Sequence, residues 1–152
     1  HLEKIVTAGL LAPSGKNAQT TQFVIVDEPE ILDQIRNLHP SQAVQTANAM
    51  IIALINRDPE PIFNDMSFEI EDCAAAIENI LLAVTDMGYA TVWIDGALRV
   101  EQRAQKIAEI IEAPAAKIPR ILLPLGEPAE KNQQPPKKPF SQRACFNKYT
   151  LK

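Results

Sequence analysis

The residues best suited to chemistry cluster near the start of the chain, in GLLAPSGKNAQTTQFVIVD from Gly9 to Asp27. A glycine followed at a distance by Gly15-Lys16 looks in outline like a loop that cradles a triphosphate. Such a loop needs four intervening residues, a Ser or Thr after the lysine to hold magnesium, and a strand leading into it. Here five residues intervene, Asn17 follows the lysine and Gly9 falls inside a helical run, so the triphosphate reading fails. What remains is a different set of groups. Pro13 fixes the backbone, Ser14 offers a hydroxyl, and Gly15 permits close backbone approach. Asn17 and Gln19 carry amides that both donate and accept hydrogen bonds. Two readings stay open on these residues alone. One is a cradle for a ligand bearing hydroxyls, a phosphate and a heteroaromatic edge; the other is an ordinary turn between a helix and a strand.

Other chemistry-bearing side chains give weaker signals. His39 precedes Pro40 at an expected helix end and reads as a surface residue. Cys73 falls on an apolar helix and reads as an inert thiol, while Cys145 lies in the tail. The two cysteines have no metal-ligand or redox spacing, and no metal site is expected. Glu71 and Glu78 lie two helical turns apart and read as a solvated face. No side-chain acid, base or nucleophile stands out as catalytic.

The elements that must position these groups follow from periodicity. Apolar residues at Leu2, Ile5, Val6 and Leu10 predict a helix ending at Pro13. Phe23 to Val26 predicts a strand, with Asp27 capping a helix from about Pro29 to Leu38. Ser41 to Asn48 reads as a short helix and Ala49 to Ile55 as a second strand. In SFEIEDCAAAIENILLAVTDMGYA, polar residues fall at Glu71, Glu78 and Thr85 and beside them at Asp72, Asn79 and Asp86. They form one narrow stripe on a helix about 30 Å long. The rest of that helix is apolar or alanine, a wider arc than a small domain easily covers. It is either a central core helix or one whose flank packs on a second subunit. YATVWI alternates like a strand, Val100 to Glu112 forms an amphipathic helix, and IPRILLPLG contains a strand cut short by Pro124. Residues 126–152 read as an extended arm, and RACFNKYTL near its end has strand character. Helices and strands mix without regular alternation, which favours an α+β fold.

The 152 residues suit a single domain. A net charge of -4 gives no electrostatic reason to expect nucleic acid or a membrane surface as partner. Nothing reads as a signal peptide or a membrane span, and reduced thiols in a cytoplasmic protein are expected. The chain opens at His1 already inside a helical pattern, so a preceding segment is expected.

LLAPSGKNAQTTQFVIV resembles the nitroreductase family of flavoproteins, whose motif is Pro-Ser-x-x-Asn-x-Gln-Pro-Trp-x-Phe before a strand. Pro13, Ser14, Asn17, Gln19 and Phe23 match it, while Thr20 and Thr21 stand where many relatives carry Pro-Trp. DCAAAIENILLAVTDMGYATVWIDG resembles the family's long central helix and the Gly-x-x-x-Val-x-Ile-x-Gly that follows. ILLPLGEPAEKNQQPPKKPF resembles its closing Gly-x-Pro segment with a basic tail. The match spans nearly the whole chain in order. The family's opening Arg-Arg-Ser-x-Arg segment, which grips the flavin phosphate and pyrimidine edge, would precede His1.

The resemblance implies a nitroreductase-like fold: a mostly antiparallel central sheet flanked by helices, with the long helix at a homodimer interface and the arm crossing to the partner. It implies FMN between subunits. Pro13, Ser14, Gly15, Asn17 and Gln19 would contact the flavin and its ribityl-phosphate chain. Trp93, Ile94, Asp95 and Gly96 would lie against the isoalloxazine ring, and Lys137 or Lys138 would stand near the phosphate. It further implies transfer of hydride from NADH or NADPH through flavin N5 to a small electron-poor acceptor, a nitroaromatic or quinone, in alternating half-reactions. Reductive dehalogenation in the same fold is an alternative. So is a non-catalytic interaction module presenting the Pro-x-x-Pro spacing of PPKKP.

Overall fold

The computed structural model describes residues 1–130 and 134–150. Helix α1 (Leu2–Leu10) leads through a short 3-10 turn (Gly15–Asn17) into strand β1 (Gln22–Val26). Helices α2 (Pro29–Arg36) and α3 (Gln42–Thr46) precede strand β2 (Ala49–Asn56), and the long helix α4 (Glu69–Asp86) follows it. Strand β3 (Ala90–Thr91), a 3-10 turn (Gly96–Arg99), helix α5 (Arg103–Ile110), strand β4 (Lys117–Gly126) and the short helix α6 (Phe140–Arg143) complete the order. The strands form one sheet in the order β1-β2-β4-β3, and every pairing is antiparallel. The expected α+β class and central antiparallel sheet are what is found.

β2 shows why a continuous apolar run made this sheet. All of Ala49 to Ile55 is buried, because the strand is central and covered on both faces. Met50, Ile52 and Leu54 join Leu32, Ile35, Val44, Ala104 and Ile107 from α2, α3 and α5 on one face. Ile51, Ala53 and Ile55 join Ile5 and Val6 of α1 and Cys73, Ile77, Ile80 and Val84 of α4 on the other. Two helical layers therefore sandwich the sheet. No helix among the described residues is long and apolar enough to cross a membrane.

Three expectations need correction. The cap of α2 is Glu28, not Asp27, and it makes no side-chain cap bond. Pro29 opens the helix instead, where its missing N–H removes one unpaired donor. β4 also runs straight through Pro124, which sits opposite Met50. Leu122 exchanges both backbone bonds with Ile94, donating at 2.9 Å and accepting at 3.1 Å. By the two-residue alternation of an antiparallel ladder, Pro124 turns its nitrogen toward that same side. A strand there would lose a hydrogen bond, so YATVWI pairs only at Ala90–Thr91 and at Ile94. Pro119, the other proline of β4, falls at a register shift opposite Leu54, where a missing donor is tolerated.

The third correction concerns α4. Its 18 residues span about 27 Å. Glu71, Glu78, Thr85 and Asp86 are exposed as expected, but the stripe is not uniform. Asp72 is buried, and the half-buried Asn79 donates from Nδ2 to the Ala8 carbonyl at 3.1 Å. Each lies one residue, roughly 100°, round the helix from its exposed neighbour, on the side where α1 packs. Ile70 and Leu82 stay exposed on the outer arc.

Beyond β4 the arm leaves the core. The described residues 127–130 and 134–143 are all exposed, and α6 occupies Phe140–Arg143. Residues 144–150 form no strand within this chain, since a strand needs a neighbour for its backbone groups. The expected strand ends at Leu151, and the arm includes residues 131–133 and 151–152, all outside the described residues.

Candidate functional site

The loop after α1 is tied on several sides. Asn17 N–H donates to the Ser14 carbonyl at 2.9 Å and Ala18 N–H to the Gly15 carbonyl at 3.0 Å, closing two tight turns. Gln19 N–H donates to Ser14 Oγ at 3.1 Å, which leaves the Ser14 hydroxyl proton free to be given outward. Lys117 Nζ donates to the Thr20 carbonyl at 3.2 Å. Lys16, Asn17 and Gln19 all adopt positive φ, at 48°, 56° and 51°. Asn tolerates this region, but Lys and Gln pay about 1 kcal/mol or more each, so the surroundings hold a strained loop in place. The side chains of Asn17 and Gln19 are exposed at its tip.

The glycines of the opening motif have packing roles. A Cβ on Gly9 would come within 2.8 Å of Ile80 Cγ1 and Cδ1, so Gly9 lets α1 lie close on α4. A Cβ on Gly15 would reach 2.6 Å from Phe68 Cδ2, so this glycine seats the loop against the aromatic ring just before α4. Gly15 N–H donates to Asp72 Oδ1 at 2.8 Å. Beside this contact lies a cavity of about 220 Å³ lined by Ser14, Gln19, Thr20, Thr21, Phe23 and Asp72, among others. The Thr20 and Thr21 hydroxyls and Asp72 Oδ2 are buried without hydrogen-bond partners. An unpaired polar group in the interior costs about 1–3 kcal/mol, so these atoms need a partner in the cavity, whether water or a ligand group.

The second predicted group, Trp93 to Gly96, lies at the far edge of the sheet. Trp93 is 37% exposed, left outside where the strand breaks opposite Pro124. Ile94 is buried in the core and spends both backbone groups on Leu122. The Asp95 carboxylate is gripped by Arg99 through Nε at 2.7 Å and Nη2 at 2.6 Å, with Arg120 at 3.5 Å. Gly96 is exposed at the start of the 3-10 turn. Lys137 and Lys138 are exposed on the arm.

Within one chain these groups do not meet. β1 and the Ile94 segment are separated by β2 and β4, about 14 Å at the usual strand spacing. Sequence reasoning missed Asp72, Thr20, Thr21, Arg99 and Arg120. The pairing of Asp72 with Gly15, 57 positions away, carries no local signature. The Thr20-Thr21 departure from Pro-Trp was the visible clue to the polar cavity.

Two titratable groups bear on what the site can do. Burial pushes the Cys73 thiol up to about 11, so it is inert as a nucleophile, as expected. His39 is buried rather than on the surface. The residues after α2 fold it inward, with Nδ1 accepting from Ser41 N–H at 3.2 Å. Burial and then the Arg103 charge lower its pKa, which favours the neutral imidazole.

Residues 39–127, from this histidine to just past β4, match the model of the nitroreductase family. The chain belongs to the nitroreductase family. A provisionally named NADH dehydrogenase/NAD(P)H nitroreductase of Methanothermobacter thermautotrophicus is 34% identical over 130 residues, covering 85% of this chain and 66% of the relative. The chain thus spans just under two thirds of that relative's length. A crystal structure from Bacteroides thetaiotaomicron, provisionally named likewise, superposes with a TM-score of 0.80 at 30% identity, covering 97% of this chain and 84% of the other. The NADPH:FMN oxidoreductase of Vibrio harveyi, solved with NAD+, superposes with a TM-score of 0.78 at 25% identity, covering 97% of this chain and 67% of the other. This nitroreductase-family chain therefore shares both fold and sequence with flavin and nicotinamide enzymes.

Proposed function

We propose that two copies of the chain form an FMN-dependent NAD(P)H oxidoreductase acting on a nitroaromatic, quinone or similar electron-poor acceptor. The observation that carries this reading is the separation of the two candidate groups on opposite edges of one sheet. A site completed by a second copy, with the loop of one chain facing the Trp93–Gly96 edge of the other, resolves that separation. The exposed Ile70 and Leu82 on α4, and the arm standing clear of the core with Phe146 79% exposed, supply apolar surface for such a pairing. In this reading residues 1–152 are one flavin-binding domain with an arm at 126–152. A cytoplasmic location fits its two free thiols.

The residues present fit FMN by their chemistry. Ser14 has a hydroxyl proton to donate, and the Asn17 and Gln19 amides can serve a ring edge or ribityl hydroxyls. Pro13 and Gly15 shape the backbone beneath them. Trp93 offers an aromatic face, and the Gly96 backbone is open to a donor–acceptor contact with a ring edge. Arg99 and Arg120 neutralise Asp95, so no free anion stands beside a group that gains electrons. Lys137 or Lys138 can reach a phosphate. Bound FMN supplies the two-electron chemistry, taking hydride from NAD(P)H and yielding it to the acceptor in separate half-reactions. The protein's share is to bind, orient and shield, which agrees with the inert Cys73 and the absence of a free acid–base pair among the candidate residues.

The visible spectrum of the full-length protein tests the reading. Bands near about 370 and 450 nm that bleach anaerobically with NADH or NADPH are expected of a bound flavin. A protein that stays colourless after incubation with FMN would contradict it.

A further inference from the structure

We propose that Asp72 is a positioning residue that sets the loop carrying Ser14, Asn17 and Gln19. This rests on the flavin reading for its consequence, though the contact itself does not. Asp72 is only 9% exposed, and among the described residues its carboxylate makes one hydrogen bond, the 2.8 Å contact from Gly15 N–H. That bond reaches from the first turn of α4 to the middle of the loop. It acts where the chain turns into three left-handed non-glycine residues, Lys16, Asn17 and Gln19. The space that a Cβ on Gly15 would take is filled by Phe68 and Ile62. Gly15 is therefore fixed by a carboxylate at its N–H and by two apolar side chains at its Cα, and the amides at the loop tip inherit its position.

The buried carboxylate is hard to explain as packing. Among the described residues no cation forms an ion pair with it, and Oδ2 has no partner. A buried carboxyl group that leaves one acceptor oxygen unpaired is unfavourable unless the structure uses it. A neutral residue of similar size would fill the space with less desolvation. The Thr20 and Thr21 hydroxyls line the same cavity as the carboxylate and are equally unpaired. The polar pocket behind the loop therefore lets its backbone be fixed by an acceptor on a rigid helix rather than by the loop alone.

The test compares Asp72→Ala, Asp72→Asn and, as a control on the same helix, Cys73→Ala in the full-length protein. Three quantities are read: Gly15 amide exchange, thermal stability and FMN dissociation constant. Asp72→Asn keeps an acceptor oxygen for Gly15 and should retain slow exchange and FMN affinity within threefold. Asp72→Ala should expose the Gly15 amide and weaken FMN at least tenfold. Cys73→Ala should lose stability with FMN affinity unchanged. If Asp72→Ala does not fold, Asp72→Ser, whose shorter side chain falls short of Gly15, is read in its place with the same expectations. Unchanged Gly15 exchange in Asp72→Ala, equal FMN loss in Cys73→Ala, or FMN loss in Asp72→Asn would overturn the proposal. If the wild-type protein takes up no FMN, the flavin reading fails by itself. The clamp then stands or falls on Gly15 exchange alone.

Discussion

Asn17 and His39 make opposite demands on the sequence. Asn17 sits exposed at the tip of a strained loop, so its side chain contributes little to folding and is free for a ligand. Asn17→Ala should therefore weaken FMN about tenfold or more by flavin fluorescence titration, while calorimetry shows only the roughly 1 kcal/mol that alanine pays at positive φ. An unaltered affinity would remove it from the site. At this loop hydroxyl, amide and glycine are also ordinary turn residues, so the residues alone left two readings open and the family resemblance singled them out. His39 was not legible, since its burial comes from the tertiary fold around it, which no local pattern states. Its folded pKa lies below the unfolded value of 6.5, so the unfolded chain binds the proton more readily. Its contribution to stability is complete above pH 6.5 and is lost as pH falls through the lowered folded value. Denaturant titrations from pH 7.5 to 5 should show that decline, and His39→Gln should flatten it. An identical slope in the variant would show that the imidazole is not responsible.

At the scale of elements, close approach between helices decides the geometry. Gly9 lets α1 sit against Ile80, and α1 in turn delivers Pro13 and Ser14 to the edge of the sheet. Gly9→Val should cost roughly 1–3 kcal/mol by overpacking, read from urea denaturation. A stability change under a few tenths would mean that α1 can slide without penalty. The long helix and the central strand could be read from the chain directly, because an apolar run of that length has few other homes. The break after Thr91 could not. It depends on Pro124 in another strand withdrawing a donor, and Pro124 by itself looked like the end of β4. The same break leaves Trp93 outside, so one proline, by failing to pair, shapes an edge of the candidate site. Asp72 shows the converse limit, since helical periodicity placed it on the solvated stripe while α1 and the loop cover it.

For the whole molecule, the fold accounts for one chain but leaves its candidate groups on two edges and its arm without a surface to rest on. Phe140, Phe146 and Tyr149 are all exposed, an expensive arrangement for an isolated subunit. A chain ending at Glu127 should keep the sheet and helices α1 to α5 yet lose both self-association and FMN, as seen by circular dichroism and sedimentation. A truncated form that still pairs and binds would assign the contact to α4 alone. The most direct measurement is native mass spectrometry of the full-length protein after addition of FMN. The account predicts a species of two chains carrying two flavins, with no flavin on single chains. Flavin bound stoichiometrically to a lone chain would contradict it.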